Sequence, residues 1–92
     1  MIKSYAHKGL QAYFESGSTA GIQAIHAQKL RLILALLDQA TTLQDLNAPA
    51  LRLHELKGQH KGLWSLTVQA NWRVTFRFEN GDVFIVNYWD YH

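Results

Sequence analysis

The groups able to do chemistry in this 92-residue chain are five histidines, nine lysines and arginines and seven carboxylates; there is no cysteine. Without thiols, a disulfide framework, a thiolate zinc site and a cysteine nucleophile are all excluded. The imidazoles of His7, His26, His54, His60 and His92 show neither H-x-x-x-H nor H-x-x-E-H spacing, so no metal is expected, nor any other cofactor. Serine nucleophilic catalysis is unsupported, since no G-x-S-x-G is present and Ser65 falls inside an alternating run.

What remains is proton transfer beside fixed charge, offered by His54, Lys57, Arg73, Asp90, Tyr91 and His92. Cleaving RNA without a metal uses such a set. A base takes the 2′-OH proton, cations stabilise the charged phosphorane, and an acid protonates the leaving 5′-oxygen. Histidine suits both transfers because its ordinary pKa of about 6.5 lies near working pH. Each residue also has a plainer reading: His54 as an exposed strand residue, Lys57 as a solvated loop charge, Arg73 as a cross-strand partner of Tyr88 or Asp90, and the last three residues as a frayed tail.

Charge distribution narrows the partner. The formal net charge is only +2, yet residues 50–77 hold Arg52, Lys57, Lys61, Arg73 and Arg77 against Glu55 alone, while 78–92 hold only Glu79, Asp82 and Asp90. A cationic segment is either a solvated face or a polyanion site. The longest apolar-rich run, Leu30 to Leu37, is broken by Arg31 and is far short of the roughly 20 residues a bilayer span needs. The opening residues lack a long apolar core and a small-residue cleavage site, so a cytoplasmic protein is expected. Hydrophobic residues at 48% and charged at 17% exclude a disordered chain, and the length fits one domain over 1–92.

Two periodicities supply the elements. Leu10, Tyr13 and Phe14 predict a helix over 7–16, closed by Ser16-Gly17-Ser18. The stripe Ile22, Ile25, Leu32, Ile33 and Leu36 predicts a long helix from Ser18 or Thr19 to Gln39. Thr42 and Asp45 form a variant capping box for a short turn ending before Pro49. From there the period becomes two: Leu51 and Leu53, then Trp64, Leu66 and Val68, then Trp72, Val74, Phe76 and Phe78. Asn80-Gly81 is the preferred type I′ hairpin dipeptide, and Gln69-Ala70-Asn71 a three-residue connection. The fold class is therefore α+β, with N-terminal helices packed on one face of a small, mainly antiparallel sheet.

Unbroken alternation from the two turns sets Phe78 opposite Val83, Phe76 opposite Ile85, Arg73 opposite Tyr88, and Thr67 opposite Arg73. The helix-covered face would then carry Trp64, Leu66, Val68, Trp72, Val74, Phe76, Phe78, Val83 and Ile85. The open face would carry Ser65, Thr67, Arg73, Thr75, Arg77, Phe84, Val86 and Tyr88, joined at its end by Asp90 and His92. Arginine interleaved with Phe84 and Tyr88 suits single-stranded RNA, through phosphate neutralisation and base stacking; the same apolar residues could instead pack under a loop or a subunit.

The segments L-R-L-H-E-L-K-G at 51–58, W-S-L-T-V-Q-A-N-W-R-V-T-F-R-F at 64–78, N-G-D at 80–82 and N-Y-W-D-Y-H at 87–92 together resemble the HigB toxins of the RelE-like superfamily. I-K-S-Y and H-K-G-L near the start extend the likeness over essentially the whole chain. The resemblance implies a ribosome-dependent mRNA endonuclease, the toxin of a type II toxin–antitoxin pair, cutting translated mRNA in the ribosomal A site of a bacterium. It implies a HigA-like antitoxin as partner, contact with rRNA, and DNA contact only through that antitoxin. Residue by residue it gives His92 and Asp90 proton transfer, Lys57 and Arg73 phosphate charge, and His54 and Tyr91 RNA orientation or shared acid–base work. Arg52, Lys61, Arg77 and Tyr88 are secondary RNA contacts. Strict alternation conflicts with Tyr91, which it sends to the covered face. The competing reading is a non-catalytic RNA-binding or antitoxin-like module using Arg73, Arg77 and Tyr88.

Overall fold

The computed structural model describes residues 1–91; His92, expected to take part in proton transfer, lies outside the described residues. Helix α1 (Lys8–Ser16) starts where His7 Nδ1 accepts the Leu10 N–H at 3.0 Å, and ends where Gly17 at φ 79° donates its N–H to the Tyr13 carbonyl. It buries Leu10 and Tyr13, and the Tyr13 hydroxyl donates to the Ala27 carbonyl at 2.6 Å.

The long helix expected from residue 18 is shorter. Helix α2 is Ala27–Gln39, entered through a 3-10 turn at Ala24–His26, while 17–23 form a loop. The reason is a backbone contact. A Cβ on Gly21 would lie 2.6 Å from the Cα of Gly9, and one on Gly9 would lie 2.8 Å from the Cα of Gly21. The loop thus lies directly on the start of α1, and a helix there would also carry a glycine costing about 1 kcal/mol relative to alanine. Leu30, Ile33, Leu34 and Leu37 are the buried stripe of α2. Ile25 and Leu32, predicted on that stripe, are 78% and 51% exposed.

A 3-10 turn at Leu43–Leu46 carries the Thr42/Asp45 capping box as predicted. The Asp45 carboxylate accepts the N–H groups of Thr41 and Thr42 at 3.0 and 3.1 Å, which holds it below the usual carboxylate pKa. Pro49–Leu51 forms another 3-10 turn, so the expected strand around Leu51–His54 shrinks to β1 (His54–Glu55).

The remaining strands are β2 (Trp64–Gln69), β3 (Trp72–Glu79) and β4 (Asp82–Asp90), all antiparallel in the order β1-β2-β3-β4. Asn80 at φ 51° and Gly81 at φ 82° make the predicted primed turn. The other turn is tighter than expected, because Gln69 pairs with Trp72 after an irregularity at Val68. The opening residues also join the sheet: Ile2 and Tyr5 form parallel bridges to Val83 and Val86.

Alternation fails once in β4, and the failure moves the site. Arg77 pairs with Phe84, but Thr75 pairs with Asn87, so one extra residue bulges out at Ile85, where φ is +49°. Its N–H donates to Ser4 Oγ at 2.8 Å. Beyond the bulge every side chain of β4 changes face relative to the simple register. Ile85 is 40% exposed, whereas Val86 and Tyr88, expected on the open face, are core residues at 0% and 4%. Arg73 faces Trp89 rather than Tyr88. The helices cover the other side of this set, packing Leu10, Leu30, Ile33, Leu34 and Leu37 on Leu66, Val74, Phe76, Val83 and Val86.

Candidate active site

The bulge resolves the conflict over Tyr91 and creates one for Asp90. Asn87, Trp89 and Tyr91 now share the face of Arg73 and Thr75, while Asp90 pairs with Trp72 on the helix side of the sheet end. A continuous row crosses the site face: His54 opposite Ser65, Ser65 opposite Thr75, Thr75 opposite Asn87.

That face is not open over its centre, as alternation alone suggested. Ser65 and Thr75 are buried, because residues 56–63 fold back on themselves with Leu56 N–H donating to the Leu63 carbonyl at 2.8 Å. The turn Gly58–His60 at the tip of this segment sets the His60 ring 5.2 Å from Trp89 and 6.3 Å from Tyr91. Trp89 in turn packs edge-on against Tyr91 at 5.0 Å and donates its indole N–H to Thr75 Oγ1 at 3.0 Å. His60 is the residue that sequence reasoning missed. The available signal was the pair Gly58 and Gly62, both at positive φ (68° and 95°), which bracket a tight excursion.

Arg73 and Tyr91 meet at the β2–β3 turn. The Arg73 Nη1 group donates to the carbonyls of Ala70 and Trp72, the latter at 3.2 Å, and the Tyr91 N–H donates to the Asn71 carbonyl at 2.8 Å. Anchoring through Nη1 orients the guanidinium, whose Nη2 and Nε hydrogens suit a phosphate. His54 stands on the same face at the β1 edge, with Nδ1 2.9 Å from its own Arg52 carbonyl. Lys57 and Lys61 are exposed on the covering segment, and Arg52 and Arg77 are exposed cations; Arg77 lies 3.7 Å from Glu79.

Tyr88 does not belong to this surface. Its hydroxyl sits 2.6 Å from His26 Nδ1 and accepts the Gln23 N–H at 3.3 Å, and burial raises its pKa above the ordinary phenol value. A side chain 4% exposed offers no ring face to RNA, so the expected contact is corrected: the bulge turned it into the core. Asp90 is exposed and borders a cleft of about 480 Å³ that also touches His7, Gln23, Trp72 and Tyr88. Among the described residues, no group of three histidines, carboxylates or cysteines could hold a metal, and no helix is long and apolar enough to cross a membrane.

Two helices laid on one face of a short antiparallel sheet, with cations and aromatic rings on the other, make a small two-layer α+β fold. The same fold is seen in the YoeB/ParE toxin from Agrobacterium tumefaciens, with a TM-score of 0.57 and 14% identity over 96% of each chain. Residues 3–92 match the HigB-like toxin family, described as the RelE-like toxin of type II toxin–antitoxin system HigB, and the chain belongs to that family. It is also 50% identical, over the full length of both chains, to the Endoribonuclease HigB of Proteus vulgaris.

Proposed function

We propose that this chain is an endoribonuclease toxin that cuts translated mRNA in the ribosomal A site of the bacterial cytoplasm and is neutralised by a HigA-like antitoxin. The observation that carries the reading is the convergence of Arg73 and Tyr91 on residues 70–72, with Asp90 at the same end of the sheet. The 50% identical endoribonuclease relative supports the reaction class.

In the proposed reaction the ribose 2′-oxygen loses its proton to a base, attacks phosphorus and displaces the 5′-oxygen, which takes a proton from an acid. The products are a 2′,3′-cyclic phosphate and a 5′-hydroxyl. Asp90 and His92 are the candidates for proton transfer. Arg73 and Lys57 would neutralise the phosphorane, and Tyr91 and His54 would orient the strand. Arg52, Lys61 and Arg77 would add backbone contacts that weaken with salt. Losing Tyr88 to the core removes one of three residues on which a purely binding module would rely.

The test is mapping mRNA 5′ ends after brief expression in translating cells. Cuts in frame with codons, absent for Asp90→Ala and His92→Ala proteins that still bind ribosomes, are the expected result. Uncut messages during growth arrest, or undiminished cutting by both variants, would overturn it.

A further inference from the structure

The excursion over the site face carries a side chain that the proposed roles leave unused. Lys57, Gly58, Gln59, Lys61 and Gly62 are exposed, and His60 alone among residues 57–62 turns inward. Gly58 and Gly62, both at positive φ, bend the backbone on either side of it. Hydrogen bonds pin the bend: the Lys61 N–H donates to the Gly58 carbonyl and the Leu63 N–H to the His60 carbonyl, each at 3.1 Å. Leu56, buried beneath, roots the segment in the molecule. The His60 ring is thus delivered to the sheet by a tied-down turn.

The rings that receive it are held from the other side. The Trp89 indole N–H is bonded to the hydroxyl of buried Thr75, so the indole cannot rotate without losing that bond. Tyr91 packs edge-on against Trp89 at 5.0 Å, and His60 closes a triangle at 5.2 Å from Trp89 and 6.3 Å from Tyr91. Tilted and edge-on rings at such separations attract one another. Tyr91 needs this support because it follows Asp90, the last residue of β4, and strand ends fray. Its N–H bond to the Asn71 carbonyl fixes the backbone but leaves both side-chain torsions free to change rotamer. The two neighbouring rings remove that freedom.

We infer that His60 is a positioning residue for mRNA cutting: from the covering segment it locks Tyr91, through Trp89 and directly, in the orientation in which the phenol meets RNA. The inference rests on the endoribonuclease reading and on the part given there to Tyr91. His60 does not touch the reacting atoms and moves no proton; its contribution is a flat ring on a short turn. A phenol free to swing spends its time in unproductive orientations, and a misplacement of about 1 Å can slow a reaction on the order of 10²-fold.

The test measures cutting of a defined mRNA on purified ribosomes by the parent, His60→Ala, His60→Phe, Tyr91→Ala and the His60→Ala/Tyr91→Ala double variant. At saturating ribosomes His60→Ala should cut roughly 10- to 100-fold more slowly, with the half-saturating ribosome concentration within about three-fold of the parent and the urea midpoint unchanged. His60→Phe, which keeps a ring and has no titratable nitrogen, should recover the parental rate to within about three-fold. In the Tyr91→Ala background the loss of His60 should add nothing, since coupled residues are not additive. Parental cutting by His60→Ala overturns the inference. So does a loss confined to half-saturation, a loss that follows a lowered urea midpoint, His60→Phe as slow as His60→Ala, or effects that multiply in the double variant. Each of these leaves the endoribonuclease standing. Tyr91→Ala cutting as fast as the parent, or a parent that makes no cuts, overturns the reading beneath it.

Discussion

The two faces of the sheet are built to different standards. On the helix side Leu66, Val74, Phe76, Val83 and Val86 are sealed under Leu10, Leu30, Ile33 and Leu37. On the site side Ser65 Oγ and Thr67 Oγ1 are buried with no hydrogen-bond partner among the described residues, and the cover is one short excursion anchored by His60 on Trp89 and Tyr91. Unsatisfied buried hydroxyls cost about 1–3 kcal/mol each. One face therefore supplies stability, and the other, which carries the groups proposed to meet RNA, gives some of it up.

Inserting an alanine between Val86 and Asn87 should break this contrast most severely. Beyond the insertion Tyr88 would rotate out of the core and Trp89 and Tyr91 would rotate in, so cooperative unfolding in urea should vanish or lose more than about 5 kcal/mol. An insertion protein as stable as the parent would mean that a second bulge absorbs the extra residue and that the register beyond Ile85 is not fixed. Next, Phe76→Ala on the sealed face should cost about 3–5 kcal/mol, while Arg73→Ala should cost less than about 1 kcal/mol of stability yet slow mRNA cutting by roughly 10²–10³-fold. Urea titration and a cutting assay on the same two proteins read this crossover, and similar stability losses for both would remove the distinction.

A smaller effect of opposite sign is expected from Thr67→Val. Replacing the unpartnered hydroxyl by a methyl of the same shape should raise stability by about 1 kcal/mol, and a loss would indicate that Thr67 has a partner in solution. The mildest prediction concerns His7. Burial holds its pKa below the ordinary imidazole value of 6.5, so the unfolded chain binds the proton more readily. Its contribution is present above pH 6.5 and is lost as pH falls through that value toward the folded pKa. The His7→Asn protein should lack this part of the pH dependence in thermal melts.

The α+β plan and both hairpins were legible because they rest on period and turn chemistry: Asn80-Gly81 forms the expected turn, and Leu66, Val74 and Phe76 lie where alternation sends them. The bulge was not legible. Ile85 is a β-branched residue in a conformation such residues rarely adopt, and it is held there by Ser4, 81 positions away, through a contact no local pattern encodes. The same cause explains Tyr88, whose type suits a stacking surface and whose place is the core. The loop at 17–23 was hidden likewise, since Ala, Gln and Ile favour a helix until Gly9 and Gly21 are seen to touch. Among the site residues, Arg73 fell on the expected face from the β2–β3 turn alone, whereas Tyr91 and Asp90 exchanged sides.

Residues 2–7 hold the outer edge of β4 through Ile2, Lys3, Tyr5 and Ala6, so the segment ahead of α1 caps a strand whose Ile85 lies 81 positions beyond Ser4. A pairing between segments so far apart forms late in folding, because the loop must close before any contact rewards it. Until then the rim of β4 presents unpaired backbone groups able to template another chain, and the N-terminal segment is the guard that shuts this route to edge-to-edge association.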